Sequence, residues 1–130
     1  MPMYLSADLA QLATITGRVL LGGLFVLGGI EHFTSLPAVS GAMAKRGVPM
    51  AHLVLIAGSL FQIACGALLM LGLWVTAAAL GLVVFTLAAS AIFMNFWSLQ
   101  GEARAGAIGG WKTNLALIGG LLVAAASNVL

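Results

Sequence analysis

The sequence predicts an all-α membrane protein: a four-transmembrane-helix antiparallel bundle with a short interfacial helix between spans 1 and 2. Three observations carry that reading. From Gly47 through Gly101 the chain runs 55 residues without one Asp, Glu, Lys or Arg, too long for one bilayer crossing and suited to two. The composition is 62% hydrophobic and 6% charged, against roughly 45–50% and about 25% in soluble domains. The long uncharged stretch is also broken once, at Leu71-Gly72-Leu73-Trp74, where a tight turn can reverse the chain.

The elements follow in order. Four spans are predicted, at about residues 12–32, 50–71, 74–97 and 111–128, each with roughly the 18–24 residues needed to cross the hydrocarbon core. In lipid the backbone must satisfy its own hydrogen bonds, so each span is a helix. Trp74, Trp97 and Trp111 fall at predicted span ends, where amphipathic rings collect. Met1 to Gly17 has no Lys or Arg, so the first apolar segment reads as a permanent span and not a cleaved signal. Between spans 1 and 2, Ser35 is positioned to cap a helix, Pro37 suits its first turn, and Gly47 with Pro49 stops it. Leu36, Val39 and Met43 share one face and Lys45 and Arg46 close the last turn, the pattern of a helix lying on the membrane surface. The connection from Ser98 to Gly110 is rich in Gly and Ala and reads as a flexible loop. The 130 residues make one integral membrane domain.

Charge and cysteine content narrow the function classes. Five Lys and Arg against three Asp and Glu give a net charge of +2, too little for a nucleic-acid surface. Cys65 is alone, which excludes an intrachain disulfide or a CxxC redox pair. The first and third connections carry Lys45, Arg46 and Arg104, with Lys112 just beyond. By the positive-inside rule these connections face the cytoplasm of a cell (inner) membrane and both termini lie outside. There is no HExxH, Cys/His cluster or nucleotide-binding glycine loop.

Polar residues inside the spans need a reason. At 100° per residue, Arg18, Gly22, Phe25, Gly29 and His32 fall on one stripe of the first span. Gly58, Gln62 and Gly66 form a second stripe, and Ala116, Gly120 and Ala124 a third, all spaced for close helix approach. Gln62 is the expected interior partner of Arg18, about 6–8 Å away vertically. Antiparallel connectivity also brings Glu31, His32, His52, Asn95, Phe96, Trp97, Lys112, Thr113 and Asn114 to one membrane face. The candidate ligand-binding residues are therefore Arg18, His32, Gln62, Asn95, Trp97, Lys112 and Asn114. Such a set suits an amphiphile with a polar head and an apolar tail, a quinone or a lipid-like molecule. His32 and His52 as haem ligands is a weaker reading.

These same positions resemble the DoxX family of small membrane proteins. The resemblance runs from about Gly17 to Ala126 and is carried by Gly17-Arg18-Val19-Leu20, Gly29-Ile30-Glu31-His32-Phe33, Gly47-Val48-Pro49, Gly66-Ala67-Leu68-Leu69-Met70-Leu71-Gly72, Asn95-Phe96-Trp97 and Trp111-Lys112-Thr113-Asn114-Leu115-Ala116-Leu117. The chain departs from the family pattern at Gln62, where many relatives have Glu, at Met94, where a His is common, and at Thr113, which separates a usually adjacent Lys and Asn. Membership implies a four-helix membrane bundle and, in some members, a role in redox assemblies; the family name comes from subunits of a thiosulfate:quinone oxidoreductase. If the family site uses acid–base chemistry at those places, the resemblance implies binding without catalysis here, and at most an oxidoreductase subunit. The leading expectation is a membrane subunit or accessory of a redox complex that binds a quinone or similar amphiphile, with the lipid bilayer, redox proteins and further copies of itself as partners. The alternatives are a small-molecule permease or exporter and a non-catalytic assembly protein.

Overall fold

The computed structural model describes residues 7–127. Its elements are α1 (Ala7–Thr34), α2 (Leu36–Lys45), α3 (Ala51–Leu71), α4 (Val75–Phe93), one turn of 3-10 helix (Phe96–Ser98) and α5 (Gly101–Ser127). Among the described residues four helical stretches, Ala7–Thr34, Ala51–Leu71, Val75–Ser98 and Gly101–Ser127, are long and apolar enough to cross a membrane, which makes this a multi-pass membrane protein. The spans close into a ring in the order α1, α3, α4, α5. The α1–α3 and α4–α5 pairs pack most intimately, and the α1–α5 seam least.

The closest seam is set by glycine. Gly22 of α1 and Gly66 of α3 lie back to back; a Cβ on Gly66 would stand 2.7 Å from the Gly22 carbonyl oxygen and 3.0 Å from Val26 Cγ2. A Cβ on Gly22 would meet the Gly66 carbonyl oxygen still more closely. Without side chains the two backbones touch, the packing mode helices use where lipid supplies no hydrophobic drive. One and two turns further along, Phe25 and Gly29 of α1 are also buried, so the stripe read from the sequence does face the bundle. The main apolar core fills the half of the bundle nearest the α3–α4 turn, with Leu69, Val75, Ala79, Leu82 and Leu121 fully buried.

That turn falls where the sequence puts it. Gly72 takes φ +77° and, with Leu73, bonds back to the Leu69 and Leu68 carbonyls, a Schellman-type end that needs the left-handed conformation glycine adopts freely. Trp74, the residue before α4, also takes a positive φ of 49° and is 79% exposed. The short helix is present as expected. Met43 is buried against Ala51 and Leu55, with Leu36, Val39, Ile92 and Phe93 around them. Ser35 precedes it without capping it, because its hydroxyl donates instead to the Glu31 carbonyl.

One boundary is corrected. The segment from Ser98 to Gly110 is not a flexible loop: α5 begins at Gly101, ten residues before Trp111. Its alanines favour helix, and Arg104 lies over the Phe96 ring, 5.7 Å from the centroid, which ties the first turns to the 3-10 segment. The third span runs Val75–Ser98 as expected, its α-helix ending at Phe93 and the 3-10 turn following. The predicted end of the fourth span at Asn128 lies outside the described residues.

Candidate functional site

His32 closes the last turn of α1, and its stripe carries it inward. Its Nδ1 lies 2.9 Å from the Ser59 hydroxyl of α3. Three residues further along the same face of α3, Gln62 is 5% exposed and its Nε2 donates to the Phe25 carbonyl at 2.8 Å. That carbonyl can only accept, so the amide orientation is fixed by chemistry. The other end of the amide, Oε1, is buried and has no hydrogen-bond partner. A buried acceptor in that condition is costly unless something donates to it.

These groups line a cavity of about 330 Å³ between α1, α2, α3 and α4. Its remaining walls are apolar: Met43 of α2, Leu55 of α3, and Phe85, Ile92 and Phe93 of α4 among them. Val54 and Ala88, both exposed on the outer surface of the bundle, also border it, so the cavity opens sideways between α3 and α4, toward lipid. Its size and make-up are those of a small-ligand site: mostly apolar, with a few fixed polar groups at one end. Ser59 belongs to this set and escaped the sequence reading, although its place one turn before Gln62 marks it.

The other expected site residues sit elsewhere. Asn114 of α5 donates from Nδ2 to the Ser90 hydroxyl at 2.8 Å, and Ser90 donates to the Thr86 carbonyl at 2.6 Å. Trp111 Nε1 donates to the Met94 carbonyl at 2.7 Å. Asn95 lies in the bend after α4 with its Oδ1 buried and unpartnered. The Asn114 and Trp111 bonds clasp α5 to α4. Trp97 is 60% exposed and packs edge-on against Phe96; it is not part of the lining of this cavity. Lys112, Glu31 and His52 are exposed. Asn95, Trp97, Lys112 and Asn114 therefore share the expected membrane face with His32 but do not line its cavity.

The expected Arg18–Gln62 pair does not form. Gln62 bonds to Phe25, roughly 10 Å along α1 from Arg18, and a helical side chain leans toward its own N-terminus. Arg18 therefore reaches away from Gln62, to the α3–α4 turn, where its Nη1 is 2.7 Å from the place a Cβ would occupy on Gly72. Its Nε is buried without a partner. Among the described residues there is no group of three His, Cys, Asp or Glu side chains able to hold a metal ion.

Comparison with curated proteins and with solved structures gives no match to either. The DoxX family model matches residues 13–95, from the inner part of α1 to the bend that follows α4, and so takes in His32, Ser59, Gln62 and the whole lining of their cavity. The Trp111-Lys112-Thr113-Asn114 stretch lies beyond the matched segment. With well over half its length covered, the chain is a multi-pass membrane protein of the DoxX family.

Proposed function

We propose that this protein holds a quinone or a similar amphiphile in the His32–Ser59–Gln62 cavity and serves as a membrane subunit or accessory of a redox complex. The carrying observation is the buried Gln62 Oε1, which has no partner and borders an apolar cavity open toward lipid. An apolar tail fits the lining from Leu55 to Phe93, and a polar head fits the end where His32, Ser59 and Gln62 meet. Gln62 Nε2 already donates to Phe25, and the unpartnered Oε1 is an acceptor that lacks a donor. It suits a head that carries a hydroxyl, such as a quinol. The His32 ring adds one group that donates or accepts according to its tautomer. The packed apolar core beyond Gln62 favours a closed pocket over a transport pathway. The charge distribution supports a cell (inner) membrane with α2 and the 3-10 turn on the cytoplasmic side and both termini outside.

The test is a titration of purified protein with a short-chain quinol and the matching quinone, for wild type and Gln62→Leu. Loss of one buried acceptor corresponds to about ten-fold weaker quinol binding. The stability change is small, about 0.6 kcal/mol for an interhelical hydrogen bond in a membrane. Equal quinol affinity in the two proteins sinks the assignment.

A further inference from the structure

The cavity above occupies one end of the bundle. At the other end, Arg18 stands apart from every polar group assigned so far. We propose that the α1–α5 seam at Arg18 is a separate phosphate-binding site, one that takes the phosphodiester of an acidic lipid or a soluble phosphate.

Four observations meet there. First, the guanidinium has no hydrogen-bond or ion-pair partner among the described residues, and its Nε is buried. A fork of N–H donors needs an acceptor, and a planar oxyanion edge matches its geometry. Second, a cavity of about 270 Å³ lies beside it, between α1 and α5. Gly17 and Gly120 leave the trough bare, while Leu21 and Val123 make an apolar wall. Third, the guanidinium rests against Gly72, in the turn where α3 gives way to α4. Backbone that leaves the helix must meet water or headgroups, so Arg18 stands at headgroup depth, where the abundant oxyanion is lipid phosphate. Fourth, α1 and α5 form the loosest seam of the ring, which opens the trough to the bilayer from the side.

The balance of charge favours a monoanion. Arg18 is the one charged residue among the described residues of the lining. The two hydroxyls there, Thr14 and Ser127, donate to carbonyls of their own helices. A phosphodiester with a single negative charge neutralises Arg18; a dianion leaves an excess. The site stands independently of the quinone reading, since no residue is shared between the two cavities.

Delipidated full-length protein in a mild nonionic detergent is titrated with phosphatidylglycerol, phosphatidylcholine or inorganic phosphate while the unfolding midpoint is followed. Phosphatidylglycerol should raise the midpoint and phosphatidylcholine should not. Arg18→Gln should weaken the apparent affinity about five-fold or more, and Arg18→Lys should retain part of it, since it keeps the charge and loses the fork. Gly17→Leu provides a second route: a Cβ at Gly17 meets nothing within 4 Å, so the larger side chain fills the trough and leaves Arg18 in place. It too should diminish the rise, and it decides the matter if Arg18→Gln does not fold. A matching rise with inorganic phosphate assigns the site to a soluble phosphate. A wild type that none of the three shifts, or a phosphatidylglycerol rise undiminished in both variants, overturns the proposal.

Discussion

Replacing Gly66 with Ala should pry α1 from α3. The new Cβ would stand 2.7 Å from the Gly22 carbonyl oxygen, 3.0 Å from Val26 Cγ2 and 3.2 Å from the Val26 nitrogen. Two of these neighbours are backbone, so no side chain can swing aside to relieve the contact. To restore an ordinary carbon–oxygen distance the helices must part by about 0.6 Å, a gap that forfeits roughly a quarter or more of each dispersion contact nearby. Summed along the seam, the cost is about 1–3 kcal/mol, the range for overpacked cores. Helix propensity works the other way, since Ala is favoured over Gly by about 1 kcal/mol. The clean measurement is therefore a comparison with Gly119→Ala in α5, where a Cβ meets nothing within 4 Å. Propensity cancels between the two, and Gly66→Ala should be the less stable by about 1–3 kcal/mol. Reversible unfolding in mixed micelles, read by tryptophan fluorescence, gives both values. Equal stability of the two variants would refute the back-to-back packing of Gly22 and Gly66.

Further outcomes follow from the same geometry. Ser90→Ala removes the acceptor for Asn114 Nδ2 and should cost about 1 kcal/mol; Asn114→Leu on the same background should then cost little more, and a double-mutant cycle reads the coupling. Thr76→Val breaks the bond from Thr76 Oγ1 to the Ala125 carbonyl and should lower stability by about 0.6 kcal/mol while leaving quinol affinity unchanged in the titration described above. His32→Phe keeps an aromatic ring in the cavity and leaves the Ser59 hydroxyl without its partner. It should weaken amphiphile binding about ten-fold, and an unchanged isotherm would place the ligand elsewhere.

Much of this arrangement was legible in the sequence, for identifiable reasons. The uncharged run and its break at Gly72 locate α3, the turn and α4 because lipid tolerates no other solution for so long an apolar segment. The face of α2 was readable from Leu36, Val39 and Met43, since one periodic stripe can be buried in only one way. The inward stripe of α1 was readable as well. What periodicity leaves open is the axial register between helices. Gly22 and Gly66 set it, by bringing Phe25 level with Gln62 and leaving Arg18 level with Gly72. Counting residues from span ends could not anticipate that, and the lean of an Arg side chain toward its own N-terminus widened the error. The start of α5 was missed for another reason: Gly106, Gly109 and Gly110 read as loop residues, yet alanines between them and the contact with Phe96 hold the helix. The candidate site divided along the same lines. His32 and Gln62 came together across a close helix pair, while Asn114 was drawn into the α4–α5 clasp by a partner, Ser90, whose facing the sequence did not disclose.

The most direct measurement is photo-cross-linking of the protein in bilayers with a quinol analogue that carries a diazirine on its tail, followed by peptide mapping. The cavity reading expects labels on Leu55, Phe85, Ile92 or Phe93, suppressed by excess unlabelled quinol and lost in Gln62→Leu. Labels spread over lipid-facing positions such as Leu115 and Leu122 of α5, and indifferent to the competitor, would contradict it.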